Sequence, residues 1–178
     1  MANKTLAELR KGTIKYNKVR YYLNVPTDPA VPGTKAFHRA YLNMKGQDKE
    51  TGVETETSAD VTMDVQTTFV KSYTEKQPFE GTILEEDPVS VFLYNIYRKK
   101  AVGGDAQTEM IEEVLWGPDK GKAYKKTVTI VVETLPDNVD DGFLRITGYY
   151  GTASDEVEGT VSVEESTGVA TFTPKGEE

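Results

Sequence analysis

The sequence predicts a mainly β domain, a sandwich or barrel of about eight strands with one flanking α-helix. Composition is the first reason: 22 Thr and 19 Val among 178 residues favour strands, and ten Tyr and six Phe supply large core anchors. The second is period-two alternation, clearest in "VTMDVQTTFV" (61–70). The third is that one segment alone, "DPVSVFLYNIYRKKAVGG", carries a strong 3.6-residue apolar period with helix caps at both ends.

In chain order, residues 5–11 have a capping-box pair in Thr5 and Glu8, and Gly12 stops the run. Two helical turns cannot stand alone, so 1–12 reads as an N-terminal arm packed on something else. "TIKYNKVRYYLNV" (13–25) is a strand ended by the three prolines of "PTDPAVPG", and "KAFHRAYLNM" (35–44) is a second.

Residues 45–60, "KGQDKETGVETETSAD", are acidic, Thr-rich and almost devoid of apolar side chains. They read as a long polar loop. Its closure costs only about 2.4 kcal/mol, yet loops this long are uncommon and usually functional. In the strand that follows, Val61, Met63, Val65 and Phe69 share a core face, and Thr62, Asp64, Gln66 and Thr68 a wet one. "PFEGTILEED" (78–87) leads into the helix.

The helix is predicted over 87–101. Asp87 sits at the N-cap, Pro88 in the first turn, and Val89, Phe92, Leu93, Ile96 and Tyr97 form the stripe. Arg98, Lys99 and Lys100 complement the dipole, with Gly103 and Gly104 as the stop. The remaining strands are 109–116, 124–135, 143–151 and a hairpin over 159–173 turning at Ser166–Gly168, with 174–178 as a charged tail. No repeat or linker divides the chain, so 1–178 is expected to be one domain.

A net charge of −8 repels phosphate backbones and argues against sequence-specific nucleic-acid binding. The absence of Cys excludes disulfides, thiolate catalysis and Cys-ligated zinc. No long apolar stretch suggests a leader or membrane span, and folding in a cytoplasm is expected.

Sites for chemistry were sought and are not expected. His38, the single His, lies in a strand without an assignable orienting partner. The acid pairs Glu85–Asp87, Glu112/Glu113 and Asp140/Asp141 are what 29 acids produce by chance. The acidic loop lacks calcium-loop spacing, and "VGGD" and "WGPDKGK" are turns rather than phosphate cradles. Trp116 reads as a core or interface anchor. No catalytic residue, cofactor or metal is expected. What remains is an assembly protein, whose polar loop, arm and tail would order against neighbouring subunits, or else a plain domain with a disordered loop.

The order of elements resembles the major tail tube protein of long non-contractile phage tails. The resemblance lies in the short arm, the early strand pair split by a polar loop, and "PFEGTILEEDPVSVFLYNIYRKK", which is similar to the family's strand, Asp-Pro and single helix. It covers most of residues 1–175, by element order rather than by a diagnostic motif. It implies a structural, non-enzymatic virion protein, assembled in a bacterial cytoplasm, whose rings of six stack into a tube that conducts DNA. The implied partners are the chain itself, a tape-measure protein, a tail terminator and distal tail or baseplate proteins. DNA passes without specific binding and no membrane is involved. The resemblance also implies that the 45–60 loop, with Asp48, Glu50, Glu54 and Glu56, reaches the adjacent ring; in such a tube the wet face Thr62, Asp64, Gln66 and Thr68 is expected to line the channel, the alternative being an ordinary solvent-exposed sheet face. Tubes of contractile tails and of type VI secretion share the expected fold and remain alternatives, as does a carbohydrate-binding β-sandwich. The sandwich is disfavoured because Tyr21/Tyr22 and Tyr149/Tyr150 are adjacent pairs that split across faces.

Overall fold

The computed structural model describes residues 19–27, 33–40, 44–46, 50–58, 67–135 and 144–176. Ten strands and one helix make up these segments. The strands are β1 (Val19–Pro26), β2 (Lys35–Arg39), β3 (Met44–Gly46), β4 (Glu50–Ser58), β5 (Thr67–Thr82), β6 (Gln107–Val114), β7 (Ala123–Thr134), β8 (Arg145–Thr152), β9 (Val157–Val163) and β10 (Ala170–Pro174), and the helix is α1 (Pro88–Lys99). The fold is mainly β, as expected. The predicted arm helix at 5–11 and the start of the first strand lie outside the described residues.

All pairings are antiparallel, in the order β3-β5-β8-β7-β6-β1-β2-β10-β9. The order returns on itself through β7, which is shared. Its first residues, Ala123–Lys125, pair with Glu158 and its neighbours on β9, whereas Val128–Thr134 pair with β8. Strands β7, β6, β1, β2, β10 and β9 therefore close a small ring, and β8, β5, β3 and β4 continue from it as an open sheet.

The ring has its own core. Tyr22, Ile111, Ala123 and Ala170 are buried there, with Phe37, Val161 and Phe172 packed against them, so each ring strand contributes at least one side chain. Gly159 is required by this packing: a Cβ there would lie 2.6 Å from the Phe172 ring and 2.3 Å from the Thr173 carbonyl oxygen.

A larger core occupies the other face of β1, β6 and β7. Tyr21, Leu23, Val25, Met110, Val128 and Ile130 meet Phe79, Ile146 and Tyr150 of the open sheet, and α1 covers them with Val89, Leu93 and Ile96. The adjacent tyrosines do split as their alternation requires, Tyr21 into one core and Tyr22 into the other.

Helix α1 starts as the sequence indicates. The Asp87 carboxylate accepts hydrogen bonds from the Ser90 backbone N–H at 3.1 Å and the Ser90 hydroxyl at 2.6 Å. Its end differs from expectation. The left-handed cap is Lys100, at φ 49°, and Gly103 belongs to a following 3-10 turn, Gly103–Ala106. Tyr97 sits at the margin of the stripe, 38% exposed.

The polar segment 45–60 is corrected by the structure over its described part: Glu50–Ser58 is strand β4, not loop. The segment alternates Thr51, Val53, Thr55 and Thr57 with Glu, Gly and Ser, and these β-branched residues favour extended backbone even without an apolar face. A lack of apolar side chains does not by itself mark a loop.

Candidate assembly surfaces

Strands β4 and β5 pair outside the main strand order. Their nine register pairs run from Glu50 opposite Lys76 to Ser58 opposite Thr67. The register skips Lys71 between Glu54–Ser72 and Thr55–Val70, a bulge that increases local twist. Strand β8 pairs only with Lys76–Thr82, so over Thr67–Glu75 the described partner of β5 is β4 alone. Nine residues of strand extend about 30 Å at ~3.3 Å per residue. Among the described residues the arm is thus a two-stranded ribbon with two open edges, and no described member of either core comes from it.

The root of this arm is fixed by a buried charge. Lys126 of β7 lies under the open sheet, its side chain 2% exposed, and its ammonium donates to Glu75 Oε2 at 2.5 Å and to Glu156 Oε1 at 2.7 Å. Thr152 donates to the same Glu75 oxygen at 3.2 Å. Burial alone would pull the Lys126 pKa down, and it is the largest single influence. The two carboxylate hydrogen bonds together outweigh it and hold the value above the ordinary lysine one. The lysine therefore stays charged and ties β7, β5 and the β8–β9 turn together. Sequence reading missed this cluster because Lys126 looks like any polar residue of an alternating strand; only the fold brings residues 75 and 156 to it.

Polar groups on β1, β6 and β7 form a second set. The Tyr22 hydroxyl donates to Glu113 at 2.9 Å, and burial, then that bond, raises its pKa. Glu109 accepts from Lys125 at 2.8 Å and from Asn24 at 2.9 Å. The Lys125 bond, followed by the Asn24 bond, outweighs burial and lowers the carboxyl pKa. These contacts cross-link β1, β6 and β7.

His38 pairs with Leu23 across β2 and β1, its Nε2 is buried without a hydrogen-bond partner, and burial lowers its pKa. It is neutral near pH 7. Trp116 is half-buried in the turn after β6. Among the described residues no group of three or more His, Cys, Asp or Glu side chains is arranged to hold a metal ion.

The sequence-selected positions fall unevenly. Glu50, Glu54 and Glu56 lie on β4, and Glu54 is exposed. Thr68 lies on β5 opposite Thr57. Thr62, Asp64, Gln66 and Asp48 lie outside the described residues.

No family model matches the chain, and no curated protein matches it. Two solved structures bear comparison. A type six secretion system protein aligns over 86% of this chain and 91% of its own at 11% identity, but its TM-score of 0.35 is too low to bear on the fold. A chain from the tail of an empty GTA particle, determined by helical refinement with C6 symmetry, aligns over 81% of this chain and 97% of its own, with 9% identity and a TM-score of 0.52. This chain and that tail protein share a fold.

Proposed function

We propose that this chain is the subunit of a tail tube, polymerising as stacked rings, six copies to a ring, into a conduit for DNA. The observation that carries this reading is the β4–β5 arm. A two-stranded ribbon is marginal in water on its own, and exposed strand edges are a liability unless a partner covers them. Identical neighbours cover them at every position of a ring or stack. The shared fold with a six-fold symmetric tail protein supports it.

In this reading the subunit works without catalysis, cofactor or metal, in the tail of a virion. Thr62, Asp64, Gln66 and Thr68 line the lumen, where small polar groups and sparse negative charge leave the duplex free to slide. The acids Asp48, Glu50, Glu54 and Glu56 meet the next ring through the arm. A tape-measure protein, a tail terminator and distal tail proteins complete the assembly.

The arm can be removed without touching the described cores. Gly52 pairs with Thr74, so excising 53–73 and joining these two through a short Gly-Ser turn keeps Glu75 beside Lys126. Purified full-length chain, concentrated, should give rings or tubes in negative-stain images, and the excised chain should melt as a folded monomer. Full-length chain that stays monomeric at millimolar concentration would overturn the proposal.

A further inference from the structure

Among the described residues five large apolar side chains are exposed, and three of them flank α1. Leu84, 39% exposed, stands just before the helix beside exposed Glu85 and Glu86. Tyr97 and Val102, 38% and 78% exposed, stand at its other end beside exposed Arg98, Lys99 and Lys100. The helix is twelve residues long, which separates the two clusters by about 18 Å at ~1.5 Å per residue. None of these five charged side chains forms an ion pair among the described residues.

Both ends are concave as well as charged. The basic end opens into a shallow cavity of about 480 Å³ between the end of α1 and β7, walled by Ile96, Ala101, Ile130 and Val132. The Leu84–Glu86 turn borders a larger one, about 1000 Å³, to which Leu84 and Val163 contribute apolar surface and Arg20 and Arg39 contribute positive charge. Each end thus presents apolar surface beside charge, and the exposed Glu85–Glu86 turn and the exposed Arg98–Lys100 end are opposite in sign.

The cap of α1 adds an independent observation. Lys100 holds φ 49°, a left-handed backbone that glycine adopts without cost and lysine does not. Its carbon stem lines the same cavity.

We infer that the two ends of α1 are the two halves of one heterologous contact, the Leu84–Glu86 turn of one copy seating against the Tyr97–Val102 end of the next. The occupant is a second copy because the complement of each surface is present on the same chain, in both charge and apolar character. Such a contact joins copies head to tail, so it propagates rather than closing a two-fold dimer. The inference rests on the polymerising subunit proposed above and names a surface separate from the β4–β5 arm.

Charge exchange tests it. A chain carrying Glu85→Lys and Glu86→Lys, and another carrying Arg98→Glu and Lys99→Glu, should each need about tenfold or more higher concentration to assemble, by light scattering and negative stain. An equimolar mixture of the two should assemble near the wild-type concentration, because each altered end then meets its new complement. Raising salt should weaken wild-type assembly in the same direction. Lys100→Gly removes one charge while relieving the backbone, so it should leave the melting temperature unchanged or higher and still weaken assembly. Altered chains that assemble singly at the wild-type concentration, or a mixture that fails to assemble, would overturn this contact and leave the tube reading standing. Wild-type chain that never assembles would overturn both.

Discussion

The Lys126 ammonium lies 2.5 Å from Glu75 Oε2 in a side chain almost wholly removed from water. Removing both acids, Glu75→Ala with Glu156→Ala, strands a cation in the interior and should cost about 3–5 kcal/mol. For a domain of this size the melting temperature should fall by roughly 6–20 °C. Lys126→Met, which removes the charge and keeps the volume, should cost clearly less. The folded lysine pKa is raised, so the pair's contribution is complete below the ordinary lysine value and disappears as pH climbs through the folded one. Urea midpoints of the wild-type and Met chains should therefore converge only in strong alkali.

Gly148 on β8 is a steric requirement. A Cβ there would sit 2.1 Å from the Val131 carbonyl oxygen and 2.8 Å from the Phe79 ring. Phe79 cannot yield easily, being 4.7 Å centroid to centroid from Tyr150. Gly148→Ala should destabilise by about 1–3 kcal/mol, whereas Gly104→Ala, with open space around it, should change the urea midpoint little.

Leu93 is fully buried on the core-facing side of α1. Leu93→Ala should cost about 2–5 kcal/mol and reduce soluble yield. Lys99→Ala, on the exposed side, should melt with the wild type. Equal melting of the two variants would mean that α1 does not cover the core.

Glu109 gives a signature in acid. Its folded pKa is lowered, first by the Lys125 hydrogen bond, so its contribution is present above the ordinary carboxyl value and is lost as pH falls through the folded one. Glu109→Gln should lower the urea midpoint at pH 7 and matter progressively less as the solution is acidified below the carboxylate range. A constant difference across that interval would exclude the ionised carboxylate as the cause.

Asp64→Lys tests the lumen. Six negative charges per ring would become six positive ones, and basic groups facing a duplex release counterions and bind it. Tubes should still assemble, and DNA ejection should slow most at low salt. Ejection at the normal rate would remove Asp64 from the lumen wall.

Elements whose signals are local were legible in the sequence. Helix α1 was readable because its cap, stripe and terminal bases all lie within 14 residues, Asp87 to Lys100. The β9–β10 turn was readable because Gly168 takes φ 69° between two short alternating runs. Strand β4 was not, since alternation without an apolar face carries no burial signal. Ring closure was not either: Ala123 pairs with Gly159, and nothing in the 35 intervening residues indicates that β7 will divide its partners. The candidate site was legible only in part. The polar segment was singled out correctly as unlike the rest and assigned the wrong backbone, while the two ends of α1 were read only as capping chemistry.

The strands that close the ring, β9 and β10, follow every other described strand in the chain. Until they arrive, β2 keeps an open edge, and Tyr22, Phe37 and Ile111 lack the cover of Val161, Ala170 and Phe172. A nascent chain stalled before residue 157 is therefore a sticky, unfinished object with most of its sheet already made. Pairings this distant are slow to form, and synthesis supplies N-terminal segments first. The interval between the emergence of β1 and the docking of β10 leaves these surfaces uncovered, and a gene truncated there should yield inclusion bodies rather than a smaller soluble domain.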